Sequence, residues 1–221
     1  MIVLALDTAG TGCFAAVYDS DGDQGLAQAG ADIGRGHAEQ LMGFVDAALA
    51  ESGKTLADVG RIAVTIGPGS FTGIRVGVAA ARGFALALSI PAVGVSTLAV
   101  LARAASLKHP GIAVFAVMDA KREEIYGQMF DASGAARTAA NAYGIDEARS
   151  LAAAFDGVIC GSARDLLLSG EIDDDAPRYI ADIGIVARLG AIADPALGKP
   201  KPLYLRGPDA KPQLGFAVAR A

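Results

Sequence analysis

A hairpin-like pattern occurs twice in this chain, and no other feature limits the fold as much. Residues 2–22 read as an apolar strand ending at Asp7, then a small-residue turn, Thr8-Ala9-Gly10-Thr11-Gly12. A second strand follows from Cys13 to Tyr18, and Asp19-Ser20-Asp21-Gly22 makes the closing turn. The pattern returns 112 residues later (119 − 7 = 112): Ile112 to Met118, Asp119, the polar turn Ala120-Lys121-Arg122-Glu123-Glu124, then Ile125 to Phe130 and Asp131-Ala132-Ser133-Gly134. Both copies put an aspartate at the strand end and an aromatic seven residues later, Phe14 or Tyr126. Tyr18 or Phe130 follows, with aspartate next. Chance hairpins share the alternation but seldom so many fixed positions, so the chain reads as two related halves.

The order downstream agrees. After the first hairpin come a helix from about Gly36 to Ser52, a strand-like run Arg61 to Ile66, a glycine loop, and a long Ala/Gly-rich helix reaching about Leu88. A strand at Ala92 to Val95 leads to Ser96, placed to cap a helix from Thr97 to about Ser106. The second half offers a helix at Ile145 to Phe155, a strand at Val158 to Cys160, helices near Ala163 to Leu168 and Asp182 to Ala193, and an irregular tail. Strands alternating with helices after an opening hairpin imply an α/β protein: a mixed sheet covered by helices, twice over. The boundary falls around Leu107-Lys108-His109-Pro110-Gly111, giving subdomains 1–108 and 109–221.

The glycine loop, Ile66-Gly67-Pro68-Gly69-Ser70-Phe71-Thr72-Gly73-Ile74-Arg75, carries the first functional question. Ser70 sits where a helix N-cap belongs. A strand–glycine loop–helix can cradle an anion at the helix N-terminus, or bring another backbone very near. At 100° per residue, Gly73, Gly77, Ala80, Phe84 and Ala87 fall on one stripe of the helix. Ile74, Val78, Ala85 and Leu88 lie on an adjacent face, while Arg75 and Arg82 point away together. An interior glycine costs a helix roughly 0.5–1 kcal/mol relative to alanine, so two on one stripe need a cause. Tight packing on the helix's own sheet is one; a groove for a second chain's helix is the other. Two apolar faces favour a helix buried twice. A phosphate role is the weaker reading, because no lysine follows Gly73 as in a P-loop.

Composition excludes several classes. A chain of 221 residues with 52% hydrophobic content can bury a substantial core. A net charge of −5 argues against autonomous nucleic-acid binding, whose footprint is basic. Cys13 and Cys160 are isolated in apolar surroundings and make neither a disulfide framework nor a zinc site. Met1-Ile-Val-Leu-Ala-Leu-Asp7 lacks a basic n-region, so no signal peptide is expected. The most apolar span, Val76 to Ala102, is broken by Arg82, Gly83 and Pro91, which argues against a membrane helix. A cytoplasmic location is expected.

Five segments in order carry a resemblance: Leu4-Ala-Leu-Asp7-Thr8, His37-Ala-Glu39-Gln-Leu41, Gly67 to Arg75, Pro91-Ala-Val-Gly-Val-Ser96 and Ala116-Val-Met-Asp119-Ala120. Together they resemble the bacterial TsaB (YeaZ) family of tRNA threonylcarbamoyladenosine biosynthesis. The match covers the first 130 residues, and the tail adds Pro202-Leu-Tyr204-Leu-Arg206. The resemblance implies the duplicated actin/Hsp70/sugar-kinase-like (ribonuclease H-like) fold, in agreement with the repeat. It also implies a role without catalysis: pairing with a catalytic paralogue, TsaD, and an ATPase, TsaE. That assembly transfers a threonylcarbamoyl group from threonylcarbamoyl-adenylate to N6 of adenosine 37 in tRNAs reading codons that begin with A.

The residue chemistry fits an accessory subunit. The paralogue holds a metal through two histidines four apart on its first helix; His37 matches the first, and Leu41 stands where the second belongs. With His109 in a Lys-His-Pro-Gly turn as the other histidine, a histidine-based metal site lacks ligands. Asp7 sits where kinases and ATPases of this fold keep an aspartate near the nucleotide's metal, so Asp7 and Thr8 are candidates for a vestigial nucleotide site; a strand-end carboxylate is also a common turn former. Ala120-Lys121-Arg122-Glu123-Glu124 lacks glycine, obstructing backbone amides from a phosphate. It reads as a charged, solvated tip or a partner-facing patch. Gly161-Ser162-Ala163 lacks the double glycine such folds use under adenine, and Ser70 and Thr72 have no histidine near in sequence. No intrinsic cofactor is expected; ATP or ADP belongs only at an inter-subunit site.

A docking surface is the expected site. His37, Leu41, Phe44, Val45 and Ala48 line one side of the first helix. Gly73, Val76, Gly77, Ala80 and Phe84 line the second, and the two form half of a four-helix bundle. The expected partners are a TsaD-like paralogue, a TsaE-like ATPase and, through the complex, tRNA, with a homodimer when the paralogue is absent. Two rivals differ in class. An independent ATPase, kinase or metallopeptidase needs an intact phosphate or metal site, and a free-standing RNA-binding module needs a basic face. The acidic run Glu171-Ile-Asp-Asp-Asp175 and the tail after Leu205 receive no functional reading.

Overall fold

The computed structural model describes residues 1–169 and 180–206. The acidic run 171–175 and the chain after 206 lie outside the described residues. The first sheet is built from β1 (Ile2–Asp7), β2 (Gly12–Asp19), β3 (Gln24–Asp32), β4 (Val59–Gly67) and β5 (Ala92–Ser96), in the order β3-β2-β1-β4-β5. β1 pairs antiparallel with β2 and parallel with β4. The second sheet contains β6 (Val114–Asp119), β7 (Glu124–Phe130), β8 (Asn141–Gly144) and β9 (Val158–Cys160), in the order β8-β7-β6-β9. β6 pairs antiparallel with β7 and parallel with β9, repeating the first lobe's arrangement without its fifth strand. Both lobes thus follow one α/β plan, a mixed sheet covered by helices, which is the duplication that the repeat implies.

Helices α1 (His37–Ser52) and α2 (Phe71–Leu88) lie side by side on one face of the first sheet. Leu41, Val45 and Ala48 from α1 join Ile74, Val78 and Ala81 from α2 over Leu4, Leu6, Val17, Ile62 and Val64. Full burial of each large aliphatic is worth about 1.5–3 kcal/mol. By length and composition α2 could cross a membrane. Here Gly73, Ile74, Gly77, Val78 and Ala81 are buried, and Ser70 caps it by accepting from the Gly73 amide at 3.2 Å.

The opposite face of the first sheet is covered by α6 (Ile183–Ile192), whose Ile183, Ile185, Val186 and Ala187 pack on Val3, Ala5, Ala63 and Val93. α3 (Thr97–Lys108) packs Leu98, Ala102 and Ala105 on Val114, Ala116 and Met118 of the second sheet. α4 (Ile145–Ala154) and α5 (Arg164–Leu168) cover that sheet's far face. The division expected at 108/109 separates the two sets of strands, but it does not separate the cores. α3 from the first half serves the second sheet, and α6 from the second half serves the first. Arg61 on β4 fastens the exchange, its Nη1 donating to the carbonyls of Gly190, Ala191 and Ala193 at the end of α6 (2.6–3.1 Å).

Three further features differ from expectation. β3 and β8 were not anticipated: both are edge strands, mostly exposed and lacking β-branched residues. Ser96 occupies the cap position of α3, yet its hydroxyl makes no cap bond and is buried without a partner among the described residues. The repeat is also out of register by one residue at its tip. Asp7 faces Phe14, whereas Asp119 faces Ile125 rather than Tyr126.

Candidate functional site

The turn after β1 is sealed by the chain's own glycine loop. Asp7 is only 1% exposed. Its Oδ1 accepts from the Ala9 amide at 3.1 Å and the Thr65 hydroxyl at 2.5 Å, while Oδ2 has no partner among the described residues. Burial drives the Asp7 carboxyl above the usual carboxylate range, with the hydrogen bonds from Thr65 and Ala9 opposing it. Thr8 is also buried, and its hydroxyl donates to the Gly73 carbonyl at 2.7 Å. The Ser70 amide donates to the Ala9 carbonyl at 2.7 Å.

The two glycines of the α2 stripe make this closure possible. A Cβ on Gly73 would overlap the Thr8 carbonyl, and one on Gly77 would overlap the Thr8 hydroxyl and press on Val64 at 3.3 Å. Gly73 and Gly77 are therefore walled in by their own molecule, which corrects their assignment to a partner-facing groove. Of the two causes open from the sequence, packing on the helix's own domain is the one observed. The same holds for His37, Leu41, Val45 and Ala48, all buried in the first lobe's core or at its rim. Phe44, Val76, Ala80 and Phe84 are half-buried along its edge.

His37 opens α1 with no side-chain cap from Gly36, and its Nε2 has no partner among the described residues. Its carbonyl accepts a long contact from Cys13 Sγ at 3.9 Å. No group of three or more His, Cys, Asp and Glu that could hold a metal occurs among the described residues. Cys13 and Cys160 are free thiols, each pushed up to about 11 by burial.

The second lobe's counterpart turn is built differently. Asp119 Oδ1 accepts from the Lys121 amide at 2.7 Å and Oδ2 pairs with Lys121 Nζ at 2.6 Å. Lys121, Arg122 and Glu123 all take left-handed backbone angles, with φ of 60°, 57° and 61°. This tight, exposed turn accounts for the one-residue slip of the second hairpin. Gly161 has φ of 110° and backs onto the Val117 carbonyl, and Ser162 Oγ accepts from the Asp119 amide at 3.1 Å.

The outer faces of α1 and α2 carry what the expected interface lacked. A Cβ on Gly43 or on Gly83 would meet nothing within 4 Å. Around them stand exposed Ala47 and Ala50 on α1, and Ala79, Ala87 and Leu86 on α2, the leucine 80% exposed. Phe71, 54% exposed, closes one end, with the Arg75 guanidinium 3.7 Å over its ring. The result is a small-residue surface across two adjacent helices, bordered by exposed Arg75 and Arg82 on α2 and by exposed Glu39, Asp46 and Glu51 on α1. Its signal was present in the spacings Gly43-Ala47-Ala50 and Ala79-Gly83-Leu86, which lie opposite the buried stripes.

Residues 31–159 match a family model described as TsaD, tRNA N6-adenosine threonylcarbamoyltransferase. The tRNA threonylcarbamoyladenosine biosynthesis protein TsaB of Escherichia coli is 31% identical over 207 residues, covering 93% of this chain and 79% of that protein. An uncharacterized protein of Mycobacterium tuberculosis is 34% identical over 215 residues, covering 95% and 94%. YeaZ from Pseudomonas aeruginosa is a solved structure with a TM-score of 0.74 and 26% identity, covering 92% of this chain and 99% of that one.

Proposed function

Because this chain belongs to the TsaB (YeaZ) family of tRNA threonylcarbamoyladenosine biosynthesis proteins, we propose that it serves that pathway as a non-catalytic docking subunit. In this reading it pairs with a TsaD-like catalytic subunit through the outer faces of α1 and α2, in the cytoplasm. The pair presents a joint surface to a TsaE-like ATPase and to tRNA. With the paralogue absent, the same faces join two copies of this chain. Any ATP or ADP sits between subunits rather than at Asp7 and Thr8.

The observation that carries the reading is the pair of open glycines, Gly43 and Gly83, on the exposed small-residue faces of two adjacent helices. Small residues let a facing helix come closer than the usual separation of roughly 8–10 Å. The turn that would face a nucleotide has its hydroxyl committed to Gly73 and its carboxyl buried. The docking is tested with Gly43→Leu and Gly83→Leu. Each side chain enters open space and replaces a helix-weakening glycine, so each variant keeps or slightly raises its unfolding midpoint, and each loses co-purification with the TsaD-like protein. Retained binding by both rejects these faces as the docking surface. tRNA modification reconstituted with and without this chain tests the accessory role itself.

A further inference from the structure

Residues 203–206 run between the two lobes and bind both. The Leu203 amide donates to the Ile66 carbonyl at 2.8 Å, and its own carbonyl lies against Gly67 in the glycine loop. The Tyr204 hydroxyl accepts from Arg75 Nε at 2.8 Å, and its ring lies 5.3 Å from that of Phe71. These contacts belong to the first lobe. The next two residues turn to the second. Leu205 packs with the core shared by α3 and β6. Arg206 Nη2 donates to the carbonyls of Ala120 and Lys121, at 3.1 and 3.3 Å, and pairs with the Glu124 carboxylate. Its guanidinium also stands 5.9 Å over the Tyr126 ring.

The turn that Arg206 holds is the left-handed one. Residues with a Cβ adopt that conformation only at a steric cost, so three in a row need compensation. Arg206 supplies it, bridging two carbonyls and a carboxylate with one planar fork. We propose that residues 203–206 are an interlobe latch. It fixes the lobes' relative orientation and couples order in the glycine loop and the start of α2 to order in the β6–β7 turn. The latch stands independently of the docking proposal, since its contacts lie within one chain. By linkage the coupling is reciprocal: loosening either end loosens the other.

Amide hydrogen exchange on the full-length protein tests it. Arg206→Met is expected to speed exchange at least tenfold in residues 120–125 and also in residues 66–75, with β1 unchanged. Tyr204→Ala is expected to do the same with the larger effect at 66–75. If each variant loosens only its own end, the latch is refuted, and a rise spread equally over β1 and the rest of the first sheet refutes it too. Should Arg206→Met not fold, Glu124→Gln keeps every backbone contact of the turn and carries the same two-ended expectation.

Discussion

The turns after β1 and β6 occupy equivalent places in two copies of one topology, yet they are held by opposite means. In the first, Thr8 and Ala9 press against α2 so closely that Gly69 and Gly73 have no room for a side chain. In the second, exposed Lys121, Arg122 and Glu123 stand in a strained left-handed arc, gripped from outside by Arg206. One turn is locked by removing atoms, the other by adding a long charged one. The first arrangement leaves no slack between Thr8 and α2. The second keeps its side chains exposed, with Lys121 paired to Asp119, and is also held by a segment from the far end of the described chain. Duplicated folds can diverge in this way because the strands carry the shared core while the turns are free to differ: Ala9 joins the core in the first, and residues 121–123 stay exposed in the second.

Attacking the first turn should give the largest effect. Gly77→Leu forces a branched side chain onto the Thr8 hydroxyl and Val64 in a face that is already full. Overpacking of a rigid core costs about 1–3 kcal/mol and more where backbone cannot yield, so a loss of about 3 kcal/mol is expected in urea unfolding. Gly83→Leu, the same change on the opposite side of α2, should leave the midpoint in place or raise it slightly, since leucine is the better helix former. Equal losses from both would erase the distinction between the sealed and the open face.

A pH experiment sharpens the same contrast. Burial raises Asp7 in the folded state, so its contribution is full below the ordinary carboxylate value of about 3.9 and is lost as pH rises through the higher folded value. Asp7→Asn removes that titration while leaving an oxygen to accept from Thr65 and Ala9. The variant's stability should therefore decline less than the wild type's as pH climbs from about 4 towards neutrality. Parallel curves would mean that Asp7 titrates alike in the folded and unfolded chains.

How much of this was legible in the sequence depends on the range of the interaction. The hairpins, the Ser70 cap and the helices α1, α2 and α6 follow from local spacing, and the repeat of Asp7 at Asp119 gave the duplicated fold. The need for a close approach at Gly73 and Gly77 was legible too, but its object was not. Thr8 lies 65 residues from Gly73, and a glycine stripe looks the same whether a near or a foreign backbone fills it. The crossing of α3 and α6 between lobes and the hold of Arg61 on Gly190, 129 residues away, are likewise long-range. β3 and β8 escaped because edge strands need little apolar alternation.

The smallest expected effect lies in the second turn, and its sign is opposite to the first. Glu123 has φ of 61° and an exposed side chain. Its carbonyl, which accepts from the Ile145 amide at 3.3 Å, is kept by any substitution. Glu123→Gly removes a left-handed penalty of about 1–2 kcal/mol. Against this, glycine frees the unfolded chain by roughly 0.5–1 kcal/mol. The difference is a net gain of about 0.5–1 kcal/mol, readable as a small upward shift in the urea midpoint. Glycine therefore stabilises the turn that Arg206 holds, whereas adding atoms at Gly77 wrecks the turn that α2 seals. A loss of stability in Glu123→Gly would mean that the second turn, like the first, is held by its own side chains, and the two would no longer differ in kind.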